Sequence, residues 1–176
     1  MPSQETNGLI TNSFLKRNDA REVLISKDKI RFKELKPNSI IGTSSYRREF
    51  QLKQLRKDLN FKLIRGNVDT RINKVTENLY DATVLASAGI FSLDLDSHIS
   101  HIFSIDEMLP SAGQGVIALQ SKVDDNFIKN LLNKINHKQT YFSVQSERSV
   151  LKVLDGDCET AIGVYSSIKN DIIELK

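Results

Sequence analysis

The sequence predicts an α/β fold built on a doubly wound mixed sheet, and three observations predict it. Residues 40–86 read in the order strand, helix, strand, helix, strand, which is the succession that lays helices across a largely parallel sheet. The strand patterns break at Gly42, at Gly66 and in the small-residue run after Ala86, where a chain leaving a strand turns into a helix. Apolar residues make up 39% and charged residues 27% of the 176, a globular composition rather than a disordered one. At this length folding can bury roughly 70% of the unfolded surface, so a core is affordable.

Each element has its own signal. "IIGTSS" after Asn38-Ser39 is a short apolar strand stopped by Gly42. A helix is expected from about Ser45 to Leu59, burying Phe50, Leu52, Leu55 and Leu59. "FKLIRGN" reads as a strand ending at Gly66, and "VDTRINKVTENL" as a second helix with Ile72, Val75 and Leu79 on one face. Ala82–Ala86 forms a third strand. Residues 94–110 carry mixed signals, and "SAGQGVIALQ" is a glycine turn followed by a strand. "DDNFIKNLLNKI" opens on acidic residues and places apolar ones at 127, 128, 131, 132 and 135, a clear helix. "TYFSVQSERSVLKVLDG" is another, with Thr140 as N-cap and Gly156 as its stop. "TAIGVYSSI" and "DIIELK" form a hairpin turning at Lys169-Asn170. An apolar stretch close to residue 1 (Leu9, Ile10, Phe14, Leu15) and a strand pattern running into the last residues lead us to expect a piece of a longer chain.

The net charge of +3 is too mild to indicate nucleic acid, and no stretch of about 18 apolar residues offers a membrane span. A single cysteine, Cys158, has no internal disulfide partner, which fits a reducing, cytoplasmic compartment. His98, His101 and His137 have no metal-ligand spacing, so no metal site is expected. "GTSS" is not a Walker loop, and "SAGQG" is not a dinucleotide fingerprint.

Four arginines are the main chemical signal. Arg47 and Arg48 follow Thr43, Ser44 and Ser45 at the mouth of the first helix, where free N–H groups and the helix dipole favour anions. Arg65 lies at the end of the next strand and Arg71 opens the next helix. Ligands of open α/β sheets bind outside the carboxyl ends of the strands, so all four could clamp carboxylates there. The plain alternative is a set of solvated surface arginines. Cys158 has the same two readings: an inert buried thiol, or a nucleophile and covalent attachment point.

The blocks "GTSSYRREFQL", "LIRGNVDTRINKV", "YDATVLASAGI", "LPSAGQGVIAL" and "ERSVLKVLDGDCETAIGVY", in this order, resemble hydroxymethylbilane synthase, also called porphobilinogen deaminase. The resemblance runs from Met1 to Tyr165. It implies two lobes like those of periplasmic binding proteins and a small α+β third domain. Residues 1–15 would be a remnant of lobe one, 16–109 lobe two, 110–136 a hinge and return to lobe one, and 137–176 the start of the C-terminal domain. It implies stepwise head-to-tail condensation of four porphobilinogen units, with loss of ammonia, on a dipyrromethane primer bound by a thioether to Cys158. On the same resemblance Ser45, Arg47, Arg48, Arg65 and Arg71 hold the cofactor's carboxylates. Thr43, the same four arginines and Gln114 contact the substrate; Arg56 has no such role and reads as surface. The family's catalytic aspartate belongs to a Lys-Asp motif that would precede Met1, so no catalytic residue is expected within these residues. Phe91-Ser92 stands where a basic pair often follows the strand, and Ala161 where a proline is frequent. The full-length protein is expected to be a monomer acting on porphobilinogen and the growing oligopyrrole. A non-catalytic small-anion binding module of the periplasmic-binding type is the alternative; it explains the arginines but makes Cys158 incidental.

Overall fold

The computed structural model describes residues 5–156 and 160–176. In chain order its elements are β1 (Leu9–Phe14), β2 (Glu22–Ser26), β3 (Ile40–Gly42), α1 (Tyr46–Leu55), β4 (Asn60–Lys62), α2 (Val68–Thr76), β5 (Ala82–Ala86), α3 (Ser87–Ser92), β6 (Ile99–Ile102), β7 (Ala118–Lys122), α4 (Asn126–Ile135), α5 (Lys138–Val153), β8 (Ser166–Lys169) and β9 (Ile172–Leu175). They form two compact units. One is Arg21–Pro110, and the other comprises the described residues of 5–20 and 111–176. No helix among the described residues is long and apolar enough to cross a membrane.

The 21–110 unit is a five-stranded mixed sheet in the order β4-β3-β5-β2-β6. β3 runs parallel to β4 and β5, while β2 pairs antiparallel with β5 and β6. Alternation along the strands sends side chains to opposite faces. Leu24, Ile41 and Val84 pack with Leu52 of α1 and with Phe32, Phe103 and Met108 on one face. Val23, Ile25 and Leu85 pack with Ile72 of α2 and Ile90 of α3 on the other. The sheet is therefore covered by helices on both faces, the doubly wound α/β arrangement. β2 is buried along its whole length, with Val23, Leu24 and Ile25 consecutive at its centre.

Several elements are shorter than their sequence patterns. α1 ends at Leu55; within it Phe50 and Leu55 are exposed, and of the four expected residues Leu52 and Leu59 reach the core. Arg56, expected to be a plain surface residue, ends the helix differently. Its guanidinium pairs with Asp58 at 2.6 Å and donates to the carbonyls of Phe32, Lys33 and Leu35, tying the helix end to the preceding loop. β4 is an edge strand of three residues and does not extend to Gly66. Leu79 lies beyond α2 and is exposed. The mixed region of 94–110 contains β6, whose His101 packs against the rings of Phe32 and Phe103.

In the second unit, β1 and β7 form a two-stranded antiparallel sheet with an irregularity between Thr11 and Ser13. α5 starts three residues earlier than expected. His137 is its N-cap, Nδ1 accepting from the Thr140 N–H, while Thr140 itself is buried and its hydroxyl accepts the Arg17 N–H. The β8–β9 hairpin turns at Asn170-Asp171, one residue later than expected. Both have positive φ, 49° and 61°, the backbone of a two-residue turn that matches strand twist.

Candidate functional site

Two clusters of buried charge stand out, one in each unit. In the 21–110 unit, Ser45 caps α1 by accepting the Arg48 N–H, and Thr43 Oγ1 accepts the Ser45 N–H. This turn after β3 points the first helical turn toward the carboxyl ends of β3 and β5. Arg47 is buried; its Nη2 lies 2.7 Å from Glu22 Oε1 and its Nη1 donates to the Leu109 carbonyl. Arg48 Nη2 lies 2.9 Å from Glu22 Oε2, and its Nη1 donates to the Val84 carbonyl. One fully buried carboxylate thus holds two guanidiniums. Burial works to raise the Glu22 carboxyl, but the charges and hydrogen bonds of Arg48 and Arg47 outweigh it and hold the group below its ordinary value.

Arg71 is partly buried and lies near enough to the cluster to feel the charge of Arg48. Its Nε donates to the Gly66 carbonyl at 2.7 Å, and its pKa is lowered by burial and by the positive charge of Arg48. Arg65 is exposed, on the connection between β4 and α2, and its carbonyl accepts from Lys74. The structure therefore brings Arg47, Arg48 and Arg71 together with Thr43 and Ser45, and leaves Arg65 outside the buried group. Two further residues escaped the sequence reading. Glu22 looks like an ordinary acidic residue at a strand start, and no local signal marks it. Ser87, directly after β5, is fully buried, and its Oγ has no hydrogen-bond partner among the described residues; neither has Arg48 Nε. The small-residue run "LASAGI" was the available signal for Ser87.

A prediction follows from the Glu22 shift. Its folded pKa lies below the unfolded value of about 4.5, so its contribution to stability is present above that pH and is lost as pH falls through the folded value. Urea midpoints of the protein should drop on acidification below about pH 4.5, and Glu22→Gln should flatten that slope while lowering stability at pH 7. A Glu22→Gln protein with the wild-type slope would refute the assignment.

The second cluster centres on Glu147 of α5, which is fully buried. Oε1 accepts from Arg17 Nη1 (2.8 Å), the Ser166 N–H (2.8 Å) and Ser166 Oγ (2.9 Å). Oε2 accepts from Arg17 Nη2 (2.6 Å) and the Gly113 N–H (2.7 Å). Arg17 also lies over the Tyr165 ring. Five donors on one carboxylate join the residue-17 segment, the glycine turn, α5 and β8. Gln114, in that turn, donates to the Ala20 carbonyl. Gly115 has φ +77°, and a Cβ there would sit 2.9 Å from the carbonyl oxygens of both Asn18 and Asp19, so the turn demands glycine. Glu147 and Ser166 bracket the stretch that contains Cys158 in sequence; Cys158 itself lies outside the described residues. No group of histidine, cysteine and acidic residues suited to a metal occurs among the described residues.

Comparison with known proteins places this geometry in context. Residues 1–130 match the family model "Porphobilinogen deaminase, dipyromethane cofactor binding domain", and residues 141–176 match "Porphobilinogen deaminase, C-terminal domain". A porphobilinogen deaminase of Caldicellulosiruptor saccharolyticus is 43% identical over 173 residues, covering 98% of this chain and 59% of that protein. The one from Orientia tsutsugamushi is 45% identical over 178 residues, covering 100% of this chain and 60% of that protein. The chain thus spans somewhat over half the length of these curated relatives. Among solved structures, a YaeC-family lipoprotein from Enterococcus faecalis is similar at 12% identity and TM-score 0.48, over 81% of this chain and 68% of that one. A periplasmic binding protein from Salmonella typhimurium is similar at 16% identity and TM-score 0.41, over 80% and 59%. Matches to both family models, in order and together accounting for nearly every residue, leave one assignment: the chain belongs to the porphobilinogen deaminase family.

Proposed function

We propose that this chain carries the carboxylate-binding and primer-bearing part of a hydroxymethylbilane synthase, the transferase that joins four porphobilinogen units head to tail with release of ammonia. The observation that carries the reading is a surplus of buried positive charge in the 21–110 unit. One carboxylate, Glu22, faces two guanidiniums, Arg47 and Arg48, and the charge of Arg48 also reaches the partly buried Arg71, whose pKa is lowered by burial and by Arg48. Leaving like charges unrelieved in a poorly solvated place is costly, and a ligand carrying several carboxylates would remove that cost. Porphobilinogen and its oligomers are such ligands, with an acetate and a propionate on every ring.

The residues present fit a dipyrromethane. Arg48 Nε and Ser87 Oγ are buried without partners among the described residues, and both can donate to a ligand carboxylate. When bound, the dipyrromethane supplies the pyrrole carbon on which the chain grows. Arg48 and Arg71 would each pair with its carboxylates, and Thr43 and Ser45 would donate hydroxyl hydrogens to them. Glu22 holds Arg47 and Arg48 in place through direct ion pairs. We take Arg47 as a cofactor and substrate contact as well, and Arg65 as an outer contact for the longer oligomers. Cys158 would provide the thioether, and Gln114 would act at the glycine turn. Residues 137–176 would begin the C-terminal domain, a division supported by the separate family match from 141.

Intact-mass analysis tests the reading. Protein made in cells that produce porphobilinogen is expected to carry an added mass of two pyrrole units, absent from Cys158→Ala. A bare thiol in protein that is folded and binds porphobilinogen would favour a non-catalytic anion-binding module instead.

A further inference from the structure

Asn7-Gly8 is the one Asn-Gly pair in the sequence, and it lies where the chain enters β1 of the second unit. The Leu9 N–H donates to the Thr6 carbonyl at 3.0 Å, closing a β-turn with Asn7 and Gly8 at its centre. Gly8 has φ +78°, the positive value that the third residue of a type II turn needs. Both residues are exposed, and a Cβ placed on Gly8 would meet nothing within 4 Å. Neither the Asn7 side-chain amide nor the Gly8 N–H makes a hydrogen bond among the described residues. Nothing described there holds the amide away from the next backbone nitrogen, and a glycine has no side chain to shield that nitrogen. Asparagine is among the thermolabile residues, but other asparagines are better protected. Asn12 precedes Ser13, which is fully buried and paired with Leu119. Asn38 precedes Ser39, whose N–H donates to the Lys36 carbonyl at 3.1 Å.

We propose that Asn7 is a site of spontaneous deamidation and isoaspartate formation, which makes the turn before β1 a substrate for an enzyme that methylates isoaspartyl carboxylates. The Gly8 nitrogen attacks Asn7 Cγ. The N–Cγ bond forms as the Cγ–Nδ2 bond breaks, the Gly8 nitrogen gives up its proton, and Nδ2 leaves as ammonia. Water then opens the cyclic imide. Attack at Cγ gives aspartate; attack at the Asn7 carbonyl carbon gives isoaspartate, whose main chain runs through Cβ and Cγ. No oxidant or reductant takes part. The added main-chain carbon falls inside a closed loop: Glu5 Oε1 accepts the Thr11 N–H at 3.0 Å, and the Gly8 carbonyl accepts the Val123 N–H at 3.0 Å. Lengthening the chain between Glu5 and Thr11 displaces the groups that make both bonds, and so loosens the start of β1. The inference concerns the ageing of this strand and is independent of the arginine cluster and of Cys158.

The test is storage of the purified chain in mildly alkaline buffer at physiological temperature. Peptide mapping with electron-transfer fragmentation then locates isoaspartate, and methyl transfer from S-adenosylmethionine by a protein isoaspartyl methyltransferase counts it. Conversion at Asn7 should run about tenfold or more faster than at Asn12 or Asn38, and should rise with pH because the attacking nitrogen must lose its proton. In urea that advantage should narrow, since the amides after Asn12 and Asn38 are released. Asn7→Gln should remove the methyl-accepting peptide and leave circular dichroism unchanged. Amide exchange at Leu9, Thr11 and Val123 should be faster in the isoaspartyl form than in Asn7→Asp, which carries the same charge without the longer chain. Asn7 still intact when Asn12 and Asn38 have converted, or methyl uptake undiminished in Asn7→Gln, would overturn the proposal. An advantage of Asn7 unchanged by urea would remove the part assigned to the fold, and equal exchange in the isoaspartyl form and Asn7→Asp would remove the effect on β1.

Discussion

Glu147→Ala is expected to produce the largest loss of stability of any single substitution in this chain. The carboxylate is fully buried and receives five donors from three other parts of the second unit. Its removal leaves the Arg17 guanidinium, only 13% exposed at its side chain, without its carboxylate, and strands the Gly113 and Ser166 amides. Breaking a buried ion pair from one side typically costs about 3–5 kcal/mol. The urea midpoint should fall by about 1 M or more, given a slope of roughly 1–3 kcal/mol per molar for small proteins. Glu147→Gln should recover little, since the amide nitrogen is itself a donor and would face Arg17 or Gly113. Removing both partners at once with Arg17→Met and Glu147→Leu should cost less than Glu147→Ala alone, because no unpaired charge remains. A Glu147→Ala protein with the wild-type midpoint would show that the network contributes nothing.

Arg47→Ala and Arg48→Ala are expected to abolish the two-pyrrole adduct at Cys158, and to differ in what else they do. Arg47 is 5% exposed and bonded to both Glu22 and the Leu109 carbonyl. Its loss should lower stability by about 3 kcal/mol or more as well as primer retention. Arg48 has an Nε without a partner among the described residues and lies by the positive Arg71, so its charge is the more available to a ligand. Arg48→Ala should therefore leave a more stable protein than Arg47→Ala while losing the adduct equally. Arg48→Lys should not restore it, because an ammonium cannot reproduce the planar fork that pairs with Glu22 and a ligand carboxylate together. Mass spectrometry and urea titration of the variants check both halves. Normal adduct in either variant would remove that arginine from the proposed site.

Much of this molecule was legible from local pattern. Ala82–Ala86, the two strand-to-helix turns after Gly42 and Gly66, and the helix at 126–135 follow from periodicity and turn residues acting over a few positions. The family blocks likewise lie in contiguous stretches. Helix ends were less legible: α1 stops at Leu55, where Arg56 reaches carbonyl partners more than twenty residues back in the chain, and a helical pattern carries no record of them.

By itself the sequence determined the strand–helix alternation of residues 40–86, the helix at 126–135 and which family the motif order points to, since each depends on neighbours along the chain. Only the tertiary structure decided that Glu22 is the counter-charge of Arg47 and Arg48, that Arg65 stands apart, that Glu147 joins residues 17, 113 and 166, and that α4 keeps its apolar face open. Those outcomes depend on which groups are desolvated together, and burial is a property of packed surfaces that no spacing in a single chain encodes.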